Sequence, residues 1–168
     1  TFVRKLRKEE IYDLVKDFGH AVNLAREAGF DCVEIHAGHG YLISQFLSPY
    51  TNHRHDEFGG SLDNRMRFMR LVIEEVMRQA KDDMGVVVKV NMHDGFRRGM
   101  QQEECLKVAQ ELERLGVHAL VLTAGFVSKA PMEVMRGAMP LKTMAYYMDT
   151  KKFWWLKAGL AIAGRLIR

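Results

Sequence analysis

Apolar residues along the chain alternate between two periods, and the alternation repeats three times. Ile11, Leu14, Val15, Phe18 and Val22 fall at helical spacing, and that segment ends at Gly29. The run Asp31-Cys32-Val33-Glu34-Ile35-His36 then predicts a strand. Phe68, Leu71, Val72, Val76 and Met77 predict a second helix, followed by Gly85 and a strand over 86–91. Cys105, Leu106, Ala109, Leu112 and Leu115 predict a third, followed by Gly116 and a strand over 119–123. Each glycine is expected in the left-handed position that ends a helix.

Alternating helices and strands imply parallel strands joined by helical crossovers. Two architectures satisfy this: a doubly wound sheet and a (β/α)8 barrel. Glu34 and Lys89 lie inside two of the strands. Charged groups sit more easily on the inward side of a barrel, near its mouth, than in a flat sheet covered on both faces. A closed barrel takes about 250 residues, so three strands would supply only part of one.

The connection from His36 to Ser61 is long for a strand-to-helix loop, and such loops usually carry function. The segment 126–150 is similar and is rich in methionine, which suits adaptable packing. The closing stretch from Phe153 to Ile167 is broken by Lys157, Gly159, Gly164 and Arg165, a pattern expected of an amphipathic surface helix.

The 168 residues are 48% hydrophobic and 27% charged, enough for a globular core. The net charge is +4, but the basic residues are scattered and lack interleaved aromatics, which argues against nucleic-acid binding. No apolar run reaches the length of a membrane span. Cys32 and Cys105 stand in apolar surroundings and are expected as buried thiols in a reducing, cytoplasmic compartment. No signal peptide is visible. The absent initial methionine and the basic residue at the end suggest a piece of a longer protein.

The chemistry concentrates at His36-Ala37-Gly38-His39-Gly40-Tyr41, where the first strand ends. Ligands of parallel α/β folds bind at the carboxyl ends of strands. Three readings stand side by side. The histidines could be satisfied structural groups. They could hold zinc, although no helical frame or partnered carboxylate accompanies the H-x-x-H spacing. Or they form a pair of donors that polarise a carbonyl, with Tyr41 as proton donor. A phenol is a weak acid, but it suffices when the acceptor is an enolate-like carbon.

From Gly29 the sequence reads GFDCVEIHAGHGYLISQFLSPYTNHRHDEFGGSLDNRMRF. This run resembles the signature of the old yellow enzyme family: V-E-I-H, then H/N-G-Y-L, Q-F-L-S-P, N-x-R-x-D-x-Y/F-G-G-S and N-R-x-R. The likeness continues through Val88-Lys89-Val90-Asn91 and Leu122-Thr123-Ala124-Gly125-Phe126 to Gly137. The resemblance implies an α/β fold, part of an FMN-binding (β/α)8 TIM barrel, with residues 1–168 as one fragment of that domain. It implies FMN and NAD(P)H as cofactors and a small-molecule substrate, an α,β-unsaturated carbonyl compound reduced at its C=C bond. A homo-oligomer is compatible with it.

Under the resemblance, His36 and His39 match the carbonyl-binding pair, which is His/His or His/Asn among members. Tyr41 matches the proton donor, and Lys89 the cation beside the flavin N1 and O2 atoms. Lys89 has a structural alternative as the ion-pair partner of Glu34. Asn52, Arg54, Asp56, Gly59, Gly60, Asn64 and Arg65 match the remaining signature and are read as architectural, with Ser61 capping the next helix. His20, His53, His55, His93 and His118 are read as surface or satisfied positions. Relatives often have serine and glycine where this chain has Leu122-Thr123-Ala124-Gly125, a departure given no catalytic meaning. The glycine-rich phosphate site of the family is expected on later loops, outside this chain. Two alternatives remain open: an iron–sulfur relative of the 2,4-dienoyl-CoA reductase or amine dehydrogenase type, and a non-catalytic scaffold.

Overall fold

The computed structural model describes residues 4–134 and, beyond them, residues 158, 159 and 162. The chain divides into two compact units, Thr1–Val134 and Met135–Arg168. The expected C-terminal amphipathic helix and most of the methionine-rich segment lie outside the described residues. Among the described residues, no helix is long and apolar enough to cross a membrane.

The first unit runs α1 (Lys8–Glu27), β1 (Cys32–Ala37), α2 (Leu42–Leu47), α3 (Leu62–Ala80), β2 (Gly85–Asn91), α4 (Gln102–Arg114), β3 (Ala119–Thr123) and α5 (Pro131–Val134). The three strands pair in the order β1-β2-β3, parallel throughout. The expected helices and strands therefore form with small shifts at their ends. Two helices were not expected: the short α5 and α2, which is hidden inside the signature. In α2 the apolar residues share one face: Ile43, Phe46 and Leu47, at helical spacing, are all buried.

Strand alternation gives the sheet two different faces. On one, Ile35, Ala37, Val86, Val88 and Val90 are buried and join a core with Ile11 and Val22 of α1, Phe68, Met69, Val72, Ile73 and Val76 of α3, and Val108 and Leu112 of α4. On the other face the register places residues in rows: Glu34 beside Val87, His36 beside Lys89 and Val121, Asn91 beside Thr123. No described helix covers that face. Glu34 and Lys89 both project from it, and Lys89 Nζ donates to Glu34 Oε1 at 2.6 Å.

Two expectations are corrected. Cys105 is buried, but Cys32 is exposed, because it stands at the start of β1 on the open face. Gly29 and Gly116 do take positive φ, at 84° and 83°, but Gly85 does not. Lys81 turns the chain after α3 instead, at φ 54°. Gly85 packs closely on β1: a Cβ there would lie 3.2 Å from the Cys32 sulfur, a tight contact that a small shift of that side chain would have to relieve.

The long β1–α3 connection is pinned by the signature residues. Asn52 Nδ2 donates to Phe46 O and Phe58 O, both at 2.7 Å. Arg54 forks onto Asp56 at 3.0 and 2.6 Å and donates to Leu6 O at 2.7 Å. The Arg54 hydrogen bond comes first among the causes holding the Asp56 carboxyl below the usual carboxylate range. Arg65, only 4% exposed, donates to Leu47 O, to Gly60 O at 3.3 Å and to Glu104 Oε1 at 2.5 Å. The Ser61 hydroxyl accepts from Asn64 N at 3.3 Å, capping α3 as expected.

Candidate active site

β1 ends at Ala37, and the chain turns sharply through Gly38, His39 and Gly40 before α2 begins. Gly38 must be small: a Cβ would lie 2.7 Å from Asn91 Oδ1. Gly40 has φ 83°, and a Cβ there would lie 2.4 Å from the Phe126 ring. Gly40 N donates to Ser44 Oγ at 3.1 Å, and Gln45 Nε2 donates to Gly40 O at 2.7 Å. These contacts lock the turn to the first turn of α2.

The turn gathers three rings. His36 and His39 have centroids 5.1 Å apart at 69°, and His36 and Tyr41 have centroids 4.9 Å apart at 50°. Tyr41 is exposed, while both imidazoles are half-buried. Lys89 lies beside His36 in the register, so both side chains leave the same face. All four residues expected at the site are thus brought together at the carboxyl end of the open face. The Lys89 ion pair with Glu34 also forms; the structural and functional readings of this lysine share one geometry.

Burial, then the charges of His39 and Lys89, hold the His36 imidazole below its ordinary value of 6.5, against an opposing pull from Glu34. Burial, then Lys89, does the same for His39. Both rings are therefore neutral near pH 7, and each carries one N–H. Among the described residues, the buried His36 Nδ1 has no hydrogen-bond partner. A bare lone pair is easier to leave there than an N–H, so the proton belongs on Nε2.

His39 is held from several directions by residues that the sequence reading passed over. Its backbone is left-handed, at φ 60°. Its N–H donates to Asn91 Oδ1 at 3.1 Å, and its carbonyl accepts from Val127 N at 3.0 Å. Its Nε2 lies 2.6 Å from Thr123 Oγ1. Asn91 is fixed in turn: its Nδ2 donates to Asp94 Oδ1 at 3.0 Å and to Gly125 O at 2.9 Å. Asp94, 1% exposed, also accepts from Ser48 Oγ at 2.7 Å and Met100 N at 2.8 Å. Asn91 and Thr123 close β2 and β3, and a polar residue at the end of a parallel strand was the one available signal for them.

His20, His53 and His55 are exposed, as expected. His118 is exposed, yet its Nδ1 accepts from Val86 N at 2.9 Å and so continues the β2–β3 pairing.

The donor set suits a flat heteroaromatic ring bearing carbonyl oxygens. Lys89 supplies a cation on the open face, the rings supply neutral donors, and His36 Nδ1 is an orphaned polar atom beside them. A parallel β/α sheet with a cation, two imidazoles and a phenol at its carboxyl end places a polar site where β/α enzymes bind their ligands. The chain belongs to the NADH:flavin oxidoreductase / NADH oxidase family, whose model matches residues 1–162. This is the family of the old yellow enzymes, FMN- and NAD(P)H-dependent oxidoreductases built on TIM barrels, and the chain forms part of such a barrel.

The chain is 41% identical over 133 residues to a 4,4'-dithiodibutanoate disulfide reductase of Rhodococcus erythropolis, covering 79% of this chain and 33% of the relative. It is 39% identical over 133 residues to an NADPH dehydrogenase of Bacillus subtilis (strain 168), covering 79% and 39%. The solved old yellow enzyme homologue from Zymomonas mobilis superposes with a TM-score of 0.68 at 30% identity, covering 88% of this chain and 42% of that one. The chain spans roughly a third of the length of these curated relatives (33% and 39%).

Proposed function

We propose that the protein containing this chain uses NAD(P)H and FMN to reduce the C=C bond of α,β-unsaturated carbonyl compounds. The observation that carries the reading is the convergence of His39 and Tyr41 on His36, at ring-centroid distances of 5.1 and 4.9 Å, beside Lys89 at the strand end.

The chemistry supplied by bound FMN is hydride transfer, from NAD(P)H to the β-carbon of the substrate. His36 and His39, neutral and each with one N–H, donate to the carbonyl oxygen as negative charge gathers there. Two donors orient the carbonyl plane as well as polarise it. The Tyr41 hydroxyl gives its proton to the α-carbon. Lys89 would hold the flavin, its positive charge offsetting the negative charge that the ring gains on reduction. Glu34 holds the lysine in register with His36.

The test uses the full-length protein with NADPH and 2-cyclohexen-1-one under anaerobic conditions. Cyclohexanone is the expected product. Tyr41→Phe should lower its formation by about 10²-fold, the scale of one general acid, while NADPH still bleaches the flavin at the parent rate. No cyclohexanone from the parent protein, or equal loss in both measurements, would refute the assignment.

A further inference from the structure

A neutral imidazole has one proton, and its place decides which nitrogen can donate. In His39 the two nitrogens have different neighbours. Nε2 is 2.6 Å from Thr123 Oγ1, and Nδ1 makes no hydrogen bond with a described residue. A hydroxyl also has one proton. If Nε2–H donated to Thr123, that hydroxyl proton would have no protein acceptor among the described residues, because Oγ1 has no second partner there. If Thr123 donates to Nε2, its proton is used and the His39 proton sits on Nδ1, which has no acceptor among the described residues and is left for a ligand oxygen.

The surroundings make this contact rigid. The Asn91 amide orientation is set by its partners: two acceptors lie against Nδ2 and one N–H against Oδ1. Asp94 anchors that amide from a buried position and ties in Ser48 and Met100. The Thr123 backbone is fixed too, its carbonyl accepting from Met92 N at 2.7 Å. The His39 backbone thus hangs from a buried network, the Thr123 main chain is tied to Met92, and the Thr123 hydroxyl meets the imidazole.

We propose that Thr123 is a positioning residue that donates to Nε2 of His39 and thereby makes Nδ1 the ligand-facing donor. It acts through the histidine and does not touch the substrate. With the His36 proton on Nε2, the pair presents one nitrogen of each kind to a single oxygen. The claim deepens the proposed function and rests on it only for the identity of the ligand.

The test uses the full-length holoenzyme labelled with [15N]histidine. Long-range proton–nitrogen correlation spectra report the tautomer, and His39→Asn assigns the signal. Binding of p-hydroxybenzaldehyde is measured by calorimetry. The Nδ1–H tautomer is expected in the parent. Thr123→Val, close to isosteric, should mix the tautomers and weaken the phenol roughly tenfold, the scale of one hydrogen bond. Thr123→Ser should restore both. An Nε2–H tautomer in the parent would overturn the proposal without any variant. So would a Thr123→Val protein with parental tautomer and affinity. Failure of enone reduction alone would leave the tautomer result standing and strike only the substrate assignment.

Discussion

Lys89 Nζ donates to Glu34 Oε1 at 2.6 Å, across the β1–β2 boundary, one row below the imidazole of His36. The pair is partly solvated, with side chains 30% and 40% exposed, so its attraction adds at most about 1 kcal/mol to stability. It also acts on the rings, whose pKa values are lowered first by burial. Lys89 lowers the pKa of both histidines, while Glu34 raises that of His36. Lys89→Met should therefore raise both imidazole pKa values, and Glu34→Gln should lower that of His36. Proton NMR titration of the full-length protein checks both directions. If Lys89 serves the flavin, Lys89→Met also slows flavin reduction by NADPH in stopped flow.

Acid should destabilise the fold in two separate windows. His36 and His39 have folded pKa values below the ordinary 6.5. The unfolded chain therefore takes up protons first, and their contribution is complete above pH 6.5 and lost as pH falls through the folded values. Glu111 is held down to about 2, chiefly by Arg114 and also by Arg70, from an ordinary 4.5. Its contribution is complete above 4.5 and fades towards pH 2. Urea midpoints from pH 8 to 4.5 should stay level and then decline below 6.5. The His36→Gln, His39→Gln double variant should remove that first decline.

Gly40 and Gly60 separate backbone strain from steric clash. Both have positive φ, at 83° and 84°. A methyl group at Gly60 meets nothing within 4 Å, whereas at Gly40 it meets Phe126 at 2.4 Å. Gly60→Ala should cost about 1 kcal/mol, the conformational term alone. Gly40→Ala should cost roughly 2–4 kcal/mol, since the Phe126 ring has to move as well. Urea denaturation of the two proteins gives the difference.

Arg65 is a buried cation whose partners are mostly carbonyls. Arg65→Met should cost about 2–4 kcal/mol, because the Leu47 and Gly60 carbonyls and Glu104 lose their donor together. Glu104, itself a third exposed at 32%, is easier to lose: Glu104→Gln should cost about 1 kcal/mol or less. A larger loss from the glutamate than from the arginine would contradict this ranking.

The elements of the fold were readable because each helix buries one stripe and each strand alternates, and both leave periods in the sequence. Lys89 and Glu34 were readable for the same reason: charges inside parallel strands have few places to go. The pinning of the loop by Asn52, Arg54 and Arg65 followed from the signature. Other features left no local mark. Thr123 meets His39 across 84 positions of sequence, and Asn91 meets it across 52. Neither pairing has a spacing rule, since register alone brings these strand ends side by side. Cys32 was misjudged because cysteine is usually buried, while this side chain stands on the open face with Glu34. Gly85 was misjudged because the positive φ that ends α3 falls on Lys81 instead.

His39 combines a functional ring with φ 60°, a region where asparagine, aspartate and histidine are several-fold enriched among residues with a side chain and β-branched residues are rare. The turn thus restricts the alphabet before any chemistry is considered. Of those tolerated residues, histidine and asparagine can offer a neutral N–H, and these two are the alternatives that the family's signature allows. Replacing His39 by Asn changes the reach and strength of a donor but leaves the loop intact, whereas valine or isoleucine would be rejected by the main chain first. Diversification of this pocket is therefore channelled by backbone shape towards a few polar substitutions.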